Sequence, residues 1–166
     1  MHLMYLLSMA AAEKRIRLAT AYFVPDELTI KTLQEARARG VAVQIIVPGA
    51  VTDSLLVRHA SRAAWGGLLQ AGVEIYEYEP TMYHVKQMIV DDFWVSIGSS
   101  NLDNRSFRLN SEANLNILDA EFAAEQSRLF EGDLKRSKRI TYELWRQRSM
   151  KDRILEGLSS LVGPQL

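Results

Sequence analysis

IRLATAYFVPDELTIKTLQEARARGVAVQIIV, residues 16–47, carries the pattern from which the rest of the fold follows. Its first nine residues alternate and include aromatic rings, as a strand requires, and they stop at Pro25. Asp26 is placed to cap a helix with Leu28, Thr32, Leu33 and Ala36 on one side and Gly40 at its end. VAVQIIV (41–47) is short and almost continuously apolar, as expected of a strand covered on both faces. After Pro48-Gly49 the order continues. Asp53 or Ser54 begins a second helix with Leu55, Leu56, Ala60, Ala63, Ala64 and Leu68, which ends near Gly72, and VEIYEY (73–78) alternates as a third strand. The β-α-β-α-β order predicts an α/β domain with a mixed, largely parallel sheet, flanked by helices and joined by right-handed crossovers.

Upstream, MHLMYLLSMAAA (1–12) lacks a basic leader and is too short to span a bilayer. Leu3, Leu6, Leu7 and Ala10 recur at helical spacing, which predicts a buried helix. The chain opens inside that helix without a cap, so it is expected to be part of a longer protein. Downstream of Pro80, HVKQMIV (84–90) and FWVSIGS (93–99) are separated only by Asp91-Asp92, a hairpin signal. A two-residue turn there pairs 90 with 93, 86 with 97 and 84 with 99. EANLNIL (112–118) can join the same sheet, and FAAEQSRLFEGDL (122–134) reads as a helix packing Phe122, Leu129 and Phe130.

Composition narrows the chemistry. Of 166 residues, 48% are hydrophobic and 24% charged, which excludes wholesale disorder. There is no cysteine, so disulfides, thiolate metal sites and a Cys nucleophile are excluded. Phosphate-binding glycine loops, a G-x-S-x-G elbow and H-E-x-x-H are absent. The only histidines, His2, His59 and His84, include no close pair, which argues against a transition-metal site.

His84-Val85-Lys86, Asp91 and Gly98-Ser99-Ser100-Asn101 stand out against this background. Residues two apart on a strand share a face, so His84 and Lys86 project together while Asp91 has the opposite parity. The expected register sets Ser99 opposite His84, about 4.5–5.5 Å away between Cβ atoms, with Asn101 beyond it on the same face. A lone His-x-Lys on a strand is more often a packed pair than a catalyst. The joint pattern instead offers a nucleophilic nitrogen, a cation and two neutral hydrogen-bonding groups. Attack on a phosphodiester needs these and no metal or other cofactor.

The spacing His84-x-Lys86-x-x-x-x-Asp91, with the trailing Gly98-Ser99-x-Asn101, resembles the signature of the phospholipase D superfamily. A finer resemblance is to bacterial cardiolipin synthases. It extends through Ala21-Tyr22-Phe23-Val24-Pro25-Asp26-Glu27, Thr52-Asp53-Ser54, Asn101-Leu102-Asp103-Asn104-Arg105-Ser106 and Leu144-Trp145-Arg146-Gln147-Arg148, all similar to the second half of those enzymes. It implies that His84 forms a covalent phosphohistidine, that Lys86 and Asn101, with Ser99, bind phosphate, and that Asp91 is mainly structural. Glu112 matches a glutamate that orients the histidine. The chain departs from the family at Ser111, where many members carry a larger or apolar residue, and in having one motif rather than two.

The missing second motif must come from a second copy or from a longer chain, because the leaving group needs an acid and the acceptor a base. His59, within an amphipathic helix, is a poor substitute. The predicted division is a phospholipase D-like domain over residues 1–136 and a basic amphipathic tail over 137–166. Residues 131–166 hold eight Lys/Arg against five Asp/Glu, leaving twelve against fifteen in the body. Ile154, Leu155, Leu158, Leu161 and Val162 form an apolar stripe beside Trp145, Arg146 and Arg148, which suits the interface of an anionic membrane. The expected activity is phosphatidyl transfer on phosphatidylglycerol at the bacterial cytoplasmic membrane, with peripheral contact. The alternatives are a homodimeric phosphodiesterase or nuclease and a non-catalytic half-domain; the neutral to acidic body argues against a nucleic-acid partner.

Overall fold

The computed structural model describes residues 1–160. In chain order the elements are α1 (His2–Ala11), β1 (Arg15–Thr20), β2 (Phe23–Val24), α2 (Glu27–Ala38), β3 (Ala42–Pro48), α3 (Leu55–Gln70) and β4 (Glu74–Tyr78). There follow β5 (Lys86–Val90), β6 (Trp94–Gly98), β7 (Leu102–Asp103), α4 (Asn104–Arg108), β8 (Asn114–Leu118), α5 (Ala120–Leu134), β9 (Ser137–Ile140), α6 (Tyr142–Arg146) and α7 (Met150–Ser160). The main sheet runs β8-β6-β5-β1-β3-β4-β9, and β2 pairs with β7 in a small second sheet. The three strands of the β-α-β-α-β unit are parallel neighbours, β1 with β3 and β3 with β4, while β5, β6, β8 and β9 extend the sheet antiparallel. The α/β fold with a mixed sheet holds.

The helix starts follow the capping chemistry. Asp26 accepts from the Thr29 N–H and Ser54 from the Val57 N–H, and Gly40 and Gly72 take the positive φ that ends each helix. The central strands of the sheet are buried on both faces. Ile45, with Leu33, Trp65 and Leu68, packs under the helices of one face; Ile46, Ile89 and Val95 pack with Ala123 and Phe130 of α5 on the other. Each such side chain contributes about 1.5–3 kcal/mol by leaving water.

The structure differs from the sequence expectations at several places. Residues 16–24 are not one strand: β1 ends at Thr20, and Phe23–Val24 leaves to pair with β7. The hairpin does place Asp91 and Asp92 at φ 53° and 54°, and the Phe93 N–H closes the turn onto the Val90 carbonyl at 3.1 Å. The ladder, however, resumes at Val90↔Trp94, so Phe93 is an extra residue and all partners shift by one. Face matching explains the shift: Ile89 now opposes Val95, both in the α5-side core, whereas the expected register sets Val95 against Met88 of the other face.

On α1 the buried residues are Tyr5 and Met9, and Leu3 and Leu7 are exposed. On α5, Phe130 and Ala123 carry the packing and Leu129 faces outward. Residues 137–140, assigned by sequence to the tail, form β9 against β4, and α7 lies on α3 through an ion-pair network. Glu156 and Ser159 face inward while Met150, Ile154 and Leu158 are exposed, the reverse of ordinary amphipathic docking. Leu161 and Val162 lie outside the described residues.

Candidate active site

The antiparallel flank brings several chain segments to one end of the sheet. The C-terminal ends of β1, β3 and β4 meet the start of β5, the end of β6 and the start of β8 there. Ligand sites of open α/β sheets form at such strand ends. Lys86, the first residue of β5, lies opposite Thr20, and its ammonium donates to the His84 carbonyl at 3.2 Å. His84 precedes the strand and is exposed, with its ring edge-on to Tyr22 at 6.3 Å between centroids. Because of the register shift, Ser99 is not the cross-strand partner of His84.

Ser99 and Asn101 follow β6. A Cβ at Gly98 would run into the Ala113 carbonyl and Asn114, so glycine there lets β8 approach closely. The Ser99 backbone N–H donates to the Ala113 carbonyl at 3.0 Å, and the Ser99 hydroxyl accepts from the Ala113 N–H at 3.0 Å. Asn114 supports the next residue, accepting from the Ser100 N–H at 3.2 Å while its amide donates to Tyr5 at 2.7 Å and Ser96 at 3.0 Å. Buried Asn101 accepts from the Tyr22 N–H at 3.3 Å, and its own N–H donates to Ser106 at 3.2 Å.

Glu112 stands just before β8. Its carboxylate accepts from the Asn110 amide at 3.1 Å and has no hydrogen bond to the His84 ring. The Ser99 hydroxyl, above all, holds its pKa below the ordinary glutamate value; burial opposes it, and Asn110, Ser106 and the Lys86 charge add to the lowering. Burial pushes the Lys86 ammonium below the ordinary lysine value, while the carboxylates of Asp53, Glu112 and Asp103 pull the other way. Asp91 lies at the far end of β5, where its carboxylate accepts from the N–H groups of Glu13, Lys14 and Arg15 at 2.8, 2.7 and 2.8 Å. His59 is on α3 beside Asp152 of α7.

Sequence reasoning did not find the role of Tyr22. The two residues that follow it, Phe23 and Val24, are buried in β2. The phenol of Tyr22 donates to Asp53 at 2.7 Å, and burial, reinforced by Asp53, pushes its pKa up to about 12. Asp53, Asp103 and Ser106 were equally invisible as site residues. The only signal was their inclusion in segments similar to the family.

Residues 5–134 match the family described as Cardiolipin synthase, PLD-like domain. Cardiolipin synthase 1 of Bacillus anthracis is 39% identical over 95% of this chain and 31% of its own length. The minor cardiolipin synthase ClsB of Bacillus subtilis is 40% identical over 93% of this chain and 38% of its own. The chain thus spans about a third of the length of these relatives. Among solved structures, the phospholipase D family member Nuc of Salmonella typhimurium superposes with a TM-score of 0.75 at 22% identity, covering 84% of this chain and 90% of Nuc. Phosphatidylserine synthase of Haemophilus influenzae superposes with a TM-score of 0.78 at 16% identity, over 99% of this chain and 44% of that one. With the α/β fold and the match over residues 5–134, the chain belongs to the cardiolipin synthase, phospholipase D-like domain family of enzymes.

Proposed function

We propose that this chain supplies one half of a phosphatidyltransferase active site that makes cardiolipin from phosphatidylglycerol. The observation that carries the reading is the convergence of His84, Lys86, Ser99, Asn101 and Glu112 at one end of the sheet, in a chain of this family. A ring nitrogen of His84 attacks phosphorus in one phosphatidylglycerol; the P–N bond forms as the P–O bond to glycerol breaks, and glycerol leaves with a proton from the second half-site. The hydroxyl of a second phosphatidylglycerol then forms a new P–O bond, the P–N bond breaks, and the hydroxyl proton returns to the same second-half group. Lys86, Ser99 and Asn101 hold the non-bridging oxygens, where charge builds in both steps. Glu112 acts as the positioning carboxylate for His84 once substrate closes the site.

The second half comes from another region of a longer chain or from a second copy across a two-fold axis. Peripheral contact with an anionic membrane is supported by the outward stripe Met150, Ile154 and Leu158 on α7, with Lys151 and Arg153 on the same helix. No described helix is long and apolar enough to cross a membrane.

The test is phosphatidylglycerol turnover by wild type and His84→Ala, each supplied with its second half-site, with acid-quench trapping of the phosphoryl-enzyme. Loss of both turnover and trapped intermediate is expected in His84→Ala. Retained turnover in that variant overturns the mechanism. Light scattering of the active species separates self-pairing from pairing within a longer chain.

A further inference from the structure

A pocket opens beside the candidate site, with Asn101 in its lining. It has a volume of about 350 Å³, and its lining includes Tyr22, Asn101, Asp103, Arg105, Ser106 and Asn110. That size suits a small polar group. Its polar atoms are partly unspent. Asp103 accepts the Ser106 N–H through one oxygen at 2.6 Å, leaving the other to accept from a ligand hydroxyl. Asn101 spends its carbonyl oxygen on Tyr22, leaving its amide to donate. Asn101, Asp103 and Ser106 are all buried, so the pocket floor is rigid and largely removed from bulk water.

Charge distinguishes this pocket from an ordinary polar cleft. Three carboxylates, Asp53, Asp103 and Glu112, already act on Lys86. Arg105 is exposed at the pocket and makes no side-chain hydrogen bond or ion pair among the described residues, whereas Arg58, Arg62 and Arg148 are all paired. Free hydroxyl acceptors below an unspent guanidinium fit neither a bare anion nor a bare polyol. They fit a polyol phosphate, with hydroxyls reaching Asp103 and the phosphodiester reaching Arg105.

We propose that this pocket is the acceptor subsite, in which Arg105 holds the phosphodiester of the incoming phosphatidylglycerol while Asp103 accepts from its terminal glycerol. The inference rests on the phosphatidyl-transfer reading. Its physical basis is that the acceptor carries its own negative charge while Lys86 is committed to the donor phosphate. A second anion brought to the site needs a second cation. Asn101 borders both the donor site and the pocket, so an acceptor glycerol seated there stands next to the transferring phosphoryl group.

Two readouts test it on the chain with its second half-site. In the first, protein NMR follows titration with glycerophosphoglycerol, the acyl-free headgroup, and separately with glycerol and inorganic phosphate. Wild type is expected to bind glycerophosphoglycerol at least tenfold more tightly than either fragment, with shifts at Tyr22, Arg105 and Asn110. Arg105→Ala is expected to lose about tenfold for glycerophosphoglycerol, and Arg105→Lys to recover part of the loss. Equal binding by wild type and Arg105→Ala, or glycerophosphoglycerol binding no better than phosphate, overturns the subsite.

In the second readout, cardiolipin formation is compared with exchange of labelled glycerol into phosphatidylglycerol, whose acceptor carries no phosphate. Arg105→Ala is expected to depress cardiolipin formation at least tenfold more than glycerol exchange. Equal loss of both reactions overturns the assignment of Arg105 to the acceptor. A wild type inert in both reactions counts against the transferase reading, and the binding titration then decides the pocket by itself.

Discussion

The carboxylate of Asp91 accepts from the Lys14 amide at 2.7 Å, across 77 positions of sequence, and takes the Glu13 and Arg15 amides as well. Burial raises the cost of its charge, but the three N–H donors outweigh it and hold its pKa below 3.8. Asp91 therefore pins the hairpin tip to the start of β1, so the motif aspartate acts on the fold from the opposite end of β5 to Lys86.

Asp91→Ala is expected to cost about 2–3 kcal/mol, since it leaves charge-accepted backbone donors without their partner. Urea denaturation measures it. Because the folded pKa is depressed, the contribution is full above the unfolded value of 3.8 and is lost as pH falls through the folded value. The stability gap between wild type and Asp91→Asn is thus expected to be flat near neutrality and to close below about pH 4.

Replacing Gly98 by alanine is expected to cost about 1–3 kcal/mol, because a methyl group meets the Ala113 carbonyl and Asn114 on the neighbouring strand. Part of the loss falls on function, since Ser99 and Asn101 are positioned by that junction. Amide exchange should show faster opening of Ser99 and Ser100 than in wild type.

The Tyr22 phenol is pushed up to about 12, by burial first and then by its hydrogen bond and proximity to Asp53. Asp53→Asn removes the neighbouring charge and leaves the burial, so the pKa is expected to fall toward 10 without reaching it. Tyrosine-ring NMR across alkaline pH reads the shift; an unchanged pKa contradicts the contribution assigned to Asp53.

Glu156 is buried between Arg62 and Arg148, at 3.2 and 2.5 Å, and Arg62 also reaches Glu77 at 2.8 Å. Glu156→Ala leaves the Arg148 guanidinium without its carboxylate and Arg62 with Glu77 alone, and is expected to cost about 3 kcal/mol, read by thermal or urea unfolding. Ile154→Lys, on the outer side of the same helix, should leave stability within about 0.5 kcal/mol. If α7 faces a membrane, the change alters binding to phosphatidylglycerol vesicles in co-sedimentation. Equal binding by the two proteins removes that surface from the proposal.

Element types, helix caps and the motif residues were legible in the sequence because each depends on local chemistry: alternation, spacing of apolar residues, Asp26, Ser54 and the two glycines of positive φ. Residues whose partners lie far along the chain were not. Nothing local distinguishes Phe93 as a bulge, because the extra residue is set by matching Ile89 and Val95 on one sheet face. Nor does local sequence bring Tyr22 to Asn101 and Asp53, which needs β1 to break and β2 to pair with β7. The α7 stripe was visible, but its outward direction depends on buried arginine partners for Glu156. The sequence by itself determined the layers of the fold and the residues able to do phosphoryl chemistry. Only the tertiary structure decided which of them meet, because register and docking minimise buried mismatches across the whole sheet, a sum that no short stretch contains.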